Sequence, residues 1–105
     1  MTEKVIRDGK VAVLVSPGYG AGWSTWADNS EEAVFSPEIV AWVEDGKPPL
    51  DAATEERWED TYGYYLGGLA DVGVEWLDQG TRFEINEYDG SESLYVITPD
   101  YGYVA

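Results

Sequence analysis

Residues 10–16 read Lys10-Val11-Ala12-Val13-Leu14-Val15-Ser16, and the fold turns on this run. A strand with one face in water alternates apolar and polar side chains. Five consecutive apolar residues, three of them valine, leave no polar face, so the run predicts a central β-strand covered on both sides. It is far too short to cross a bilayer. Just upstream, Asp8-Gly9 is a two-residue hairpin signal, because both residue types accept a positive φ. That turn pairs Ile6 with Val11 and Arg7 with Lys10, and predicts strands over 3–7 and 10–16.

Downstream, Pro17-Gly18-Tyr19-Gly20-Ala21-Gly22-Trp23-Ser24-Thr25-Trp26 carries three glycines in five residues, which excludes a regular helix or strand there. A polar stretch, residues 28–32, follows. Ser36-Pro37-Glu38 then starts a helix: Ser36 caps, Pro37 suits the first turn, Glu38 favours the positive end of the dipole, and Phe35 staples onto Val40. This helix runs to about Asp45, with Gly46 after it. Lys47-Pro48-Pro49 is a stiff connector, and Asp51 caps a second helix over about 52–65, with Thr54, Trp58, Tyr62 and Tyr65 near one face. In the last third, an Asp89-Gly90 turn pairs Ile85 with Leu94, Phe83 with Val96 and Glu87 with Glu92. A Gln79-Gly80 turn would add Trp76 opposite Phe83 and Val74 opposite Ile85. The expected fold is one α+β domain: an antiparallel sheet of about five strands, a hairpin plus a three-stranded meander over 72–78, 81–88 and 91–97, with two short helices on one face.

The charge is lopsided. Residues 1–27 hold two acids against three bases, and residues 28–105 hold nineteen acids against three bases, for a net of −15 over 105 residues. Such a field repels nucleic acid and anionic membranes and steers the chain toward basic surfaces. Hydrophobic residues make up 44%, which separates the chain from disordered acidic tails. There is no cysteine and no histidine, so disulfides, Ser-His-Asp or Cys-His catalysis and His/Cys zinc sites are excluded. With no apolar leader at the N-terminus, a cytoplasmic location is expected.

Two candidate sites emerge. The first is the loop carrying Tyr19, Gly20, Gly22, Trp23, Ser24, Thr25 and Trp26. Its glycines let backbone N–H groups approach an anion, and its rings and hydroxyls suit a small ligand or a partner. It matches neither GxGxxG nor GxxxxGK[ST], and no cation lies nearby in sequence. The plainer reading is a connector whose tryptophans fold back into the core. The second is acidic: Glu55, Glu56, Glu59 and Asp60 on the second helix, with Glu84, Glu87, Asp89 and Glu92 on the last hairpin. Carboxylates so arrayed imitate phosphates and can occupy a nucleic-acid-binding groove; the plainer reading is a solvated coat that keeps the protein dissolved. Carboxylate pairs for acid–base catalysis are not singled out by spacing. Asn86-Glu87-Tyr88-Asp89-Gly90 has calcium-ligand types without EF-hand spacing. No catalytic residue, metal ligand or cofactor is expected.

The segments Val13–Trp26 and Phe83–Glu92 resemble stretches of small acidic phage and prophage proteins. The resemblance covers about a quarter of the chain and carries no catalytic motif. It implies the context of anti-defence inhibitors, including anti-restriction and anti-CRISPR proteins, some of which imitate DNA while others sequester a nucleotide. The leading expectation is a non-enzymatic inhibitor in the host cytoplasm that covers a basic, nucleic-acid-binding surface of a defence protein, with neither nucleic acid nor membrane as direct partner. One alternative is a small-ligand or nucleotide sponge on loop 17–26, in a homo-oligomer, with Lys4, Arg7, Lys10 or Arg82 lining its pocket. The other is an accessory or structural phage protein.

Overall fold

In the computed structural model, which describes residues 3–18, 21–63, 66–98 and 102–105, strand β2 (Lys10–Val15) is the middle strand of a sheet ordered β1-β2-β3. Its side chains from Val11 to Val15 are buried. Alternation sends them to two cores. Ala12 and Leu14 meet the helices, packing with Trp23, Ile39, Val40, Trp58 and Tyr62. Val11, Val13 and Val15 meet a second sheet, packing with Val34, Phe35, Phe83 and Ala105. Each fully buried Val or Leu contributes roughly 1.5–3 kcal/mol, so both faces of β2 stabilise the layers beside them.

β1 (Ile6–Arg7) pairs with β2 in the expected register, Ile6 with Val11 and Arg7 with Lys10. Asp8 and Gly9 have φ of 52° and 77°, the values a two-residue primed turn requires. Three α-helices follow among the described residues. α1 (Ser30–Phe35) occupies the end of the polar stretch and was not anticipated; its Ala33 reaches the helical core, while Val34 and Phe35 reach the core between the sheets. α2 (Pro37–Glu44) begins at the expected cap, where the Ser36 hydroxyl accepts from Ile39 N at 3.2 Å. Phe35 and Val40 belong to different cores, so the staple gives way to α1. α3 (Ala52–Tyr62) is capped by Asp51, which accepts from Thr54 N at 2.7 Å. It buries Trp58 and Tyr62; Tyr65 lies outside the described residues.

The C-terminal third departs from the expected meander. β3 (Gly73–Asp78) does not pair with β4 (Arg82–Tyr88). It pairs with β2, setting Val11 opposite Leu77 and Leu14 opposite Val74. The second sheet is ordered β5-β4-β6, with β5 (Ser91–Val96) in the expected register and β6 (Tyr103–Val104) on the side of β4 that β3 was expected to take. The single five-stranded sheet is therefore two antiparallel three-stranded sheets within an α+β fold. The reason is physical. A strand buried on both faces needs a ladder on both edges, and the two residues of β1 leave most of one edge short, so the six-residue β3 covers the other. β3 is also apolar on both faces: Val74 and Trp76 join the helical core, and Leu77 joins the core between the sheets. A meander sharing one face with β4 would have stranded one of those sets. No helix among the described residues is long and apolar enough to cross a membrane.

Candidate functional site

The loop after β2 is closed by a carboxylate from the same chain. Glu92, near the start of β5, is 2% exposed. Its Oε1 accepts from Ser16 N at 3.0 Å. Its Oε2 accepts from Trp23 N at 2.7 Å, Thr25 N at 3.0 Å and Thr25 Oγ1 at 2.6 Å. The backbone of Glu92 donates to Ser16 O at 2.8 Å, and Ser91 Oγ donates to Pro17 O at 2.7 Å. Hydrogen bonds to a charged acceptor are roughly twice as strong as neutral ones. The place where an external anion would sit is thus taken by Glu92.

The described residues of the loop have plain locations. Trp23 is 2% exposed; it donates from Nε1 to Ala33 O at 2.8 Å and meets Tyr62 with ring centroids 5.3 Å apart. Ser24 is buried in a 3-10 turn, Ser24–Trp26. Trp26 is 43% exposed. Gly22 is buried, and its carbonyl lies against Gly68, where an added Cβ would stand 2.2 Å from Gly22 O. Tyr19 and Gly20 lie outside the described residues. Of the two tryptophans expected to fold back into the core, Trp23 does so and Trp26 does not; the N–H groups of Ser16, Trp23 and Thr25 face Glu92.

The acidic candidates divide. Glu55, Glu56 and Asp60 on α3 are exposed and Glu59 is half-buried; on the β4–β5 hairpin, Glu87 and Asp89 are exposed and Glu84 is half-buried. Glu92 is removed from this surface, because the loop's N–H groups compete for it more effectively than water does. Glu87, opposite Glu92 in the ladder, accepts from Gly90 N at 2.6 Å. Asp89 and Gly90 form the hairpin turn, with φ of 50° and 84°. Among the described residues no three His, Cys, Asp or Glu side chains gather as metal ligands.

The cations are engaged within the molecule. Arg7 makes two bonds to Glu44, at 2.6 and 2.8 Å, and the first effect of that bonding is to hold the Glu44 carboxyl below, and the Arg7 guanidinium above, their ordinary values. Lys10 pairs with Asp78 at 3.3 Å, and Arg57 pairs with Glu38, which also accepts from Trp58 Nε1 at 2.8 Å. Lys4 donates to Val104 O and lies 4.7 Å from the centre of the Phe35 ring. Lys47 donates to Leu69 O and Ala70 O, both at 3.0 Å, at the edge of a hollow of about 440 Å³ walled by Trp42, Leu50 and Leu69. Arg82 also interacts within the molecule. Among the described residues no ion pair falls on Glu55, Glu56, Glu59, Asp60, Glu84, Glu87 or Asp89. No protein family, curated protein or solved structure matches this chain.

Proposed function

We propose that this chain is a small, non-enzymatic inhibitor of the anti-defence type, which binds a basic, nucleic-acid-binding host protein through carboxylates on α3 and the β4–β5 hairpin. One observation carries the reading: the basic side chains interact with groups of their own molecule, while among the described residues no cation pairs with the carboxylates of those two elements. An uncompensated acidic surface attracts the cations that a DNA-binding groove presents, and it releases that groove's counterions much as nucleic acid does. The nucleotide-sponge reading draws less support. Three loop N–H groups already bond Glu92, and Lys4, Arg7 and Lys10, which would have lined a pocket, bond a carbonyl or acids of the chain itself.

Immobilised protein exposed to host lysate should retain a basic nucleic-acid-binding protein at about 0.1 M salt. Duplex DNA should compete it off, and about 1 M NaCl should elute it, because the Debye length falls from roughly 10 Å to 3 Å over that range. Retention that neither DNA nor salt diminishes overturns the reading.

A further inference from the structure

The β4–β5 ladder fixes which side chains share a face. Glu84 lies opposite Tyr95, Asn86 opposite Ser93 and Tyr88 opposite Ser91. The alternate positions Phe83, Ile85 and Leu94 turn to the core between the sheets. The Glu84–Tyr95 set therefore lines the outer face of the hairpin, where Tyr88 is 79% and Tyr95 51% exposed. Most other large rings of the described chain are at least partly buried. Two tyrosines on a solvated sheet face gain little for stability, yet they are strong anchors for a partner. Between them is a shallow recess of about 210 Å³ with Asn86, Ser91 and Ser93 in its lining and Glu87 beside it.

We propose that this recess seats an arginine side chain of the basic partner. The inference rests on the reading of the chain as a binder of basic proteins, and it names the contact point and the residue type contacted. A guanidinium is planar and weakly hydrated, and it carries five donors. It stacks on a tyrosine ring while its N–H groups reach amide and hydroxyl oxygens such as those of Asn86, Ser91 and Ser93. The Tyr/Ser/Asn lining combines rigid rings of low entropy cost with adaptable acceptors, the mixture that antibody combining sites use. Charge selects the cation: no Lys or Arg follows Arg82 in the sequence, and Glu84, Glu87 and Asp89 border this face. The same field disfavours a nucleic acid, and a second copy would bring another −15 to the contact.

The intact protein is titrated with hexa-arginine and hexa-lysine, which carry equal charge, at about 0.1 M salt, following heat and backbone amide shifts. Hexa-arginine should bind at least about fivefold more tightly, from stacking that an ammonium does less well, and should shift amides between Asn86 and Tyr95. Tyr88→Ala with Tyr95→Ala should bring hexa-arginine down to the hexa-lysine affinity, whereas Glu55→Gln with Glu56→Gln and Asp60→Asn should weaken both peptides alike. Both tyrosines are exposed, so the double variant keeps its core, which its amide spectrum verifies. Equal affinities for the two peptides, or shifts confined to α3, overturn the arginine site and leave the broader acidic reading standing. Binding of neither peptide overturns both.

Discussion

Glu92 illustrates how a residue's local surroundings can mislead. Within the hairpin it is one more acid, set opposite Glu87 at a tip that reads as solvent-exposed. Its buried role depends on a loop some seventy positions earlier, which no local pattern encodes. The available signal was indirect: a glycine-rich loop with aligned donors and no nearby cation needs an anion, and an acidic chain supplies its own. Glu92→Ala would leave the N–H groups of Ser16, Trp23 and Thr25 without their acceptor. At about 1–3 kcal/mol for each unsatisfied buried donor, with partial relief by water, a loss of roughly 3–5 kcal/mol is expected in urea unfolding. Glu92→Gln should lose less, about 1–2 kcal/mol, because one end of the amide still accepts while the other turns an NH2 toward a donor. Gly68 is the other residue that pins the loop. A Cβ there meets the Gly22 carbonyl at 2.2 Å and Trp23 Cα at 2.9 Å, both backbone atoms. Gly68→Ala should therefore cost about 1–3 kcal/mol by forcing the two segments apart, and the same unfolding curves would read it.

Elements whose signals are local are those that sequence reveals best. Both Asp-Gly turns, both expected helix caps and the β4–β5 register follow from a few adjacent residues, and each is found where its chemistry places it. The pairing of β3 is different. It depends on competition between β2 and β4 for one strand, and that is decided by which apolar face each core can use. β6 has only two residues, and α1 opens on Ser30-Glu31-Glu32, so neither announces itself by periodicity. The cap of α3 gives a pH prediction at this scale. Hydrogen bonding from Thr54, first its side chain and then its backbone, holds the Asp51 carboxyl below its usual value. A depressed folded value means that the cap stabilises above the unfolded carboxylate range near 4, and that the contribution fades as pH falls through the folded value. The Thr54 amide resonance should move in that acid window. Asp51→Ala should abolish the movement and lower the melting temperature by a few degrees at neutral pH. Asp51→Asn should abolish the movement while keeping most of the stability.

At the scale of the whole molecule, a net charge of −15 sits on a body whose Cα radius of gyration is 13.1 Å, about what compact chains of this length show. The sign and its concentration beyond residue 28 are plain in the sequence; which carboxylates face outward is decided only by the fold. Confinement of like charge destabilises the folded state, so added salt should raise the melting temperature by screening repulsion. A bound basic partner responds in the opposite sense, because screening weakens the attraction that holds it. The same opposition can be built into a variant. Glu55 with Glu59, and Glu56 with Asp60, are like-charge pairs one helical turn apart on α3, each costing about 0.2–0.5 kcal/mol. Glu55→Gln with Glu56→Gln and Asp60→Asn should therefore raise thermal stability slightly at low salt while weakening capture of the basic partner. A gain in stability coupled to a loss of binding means that the carboxylates serve recognition at the expense of the fold. A variant that gains stability and binds undiminished would make α3 a solvated coat and leave recognition to the hairpin alone.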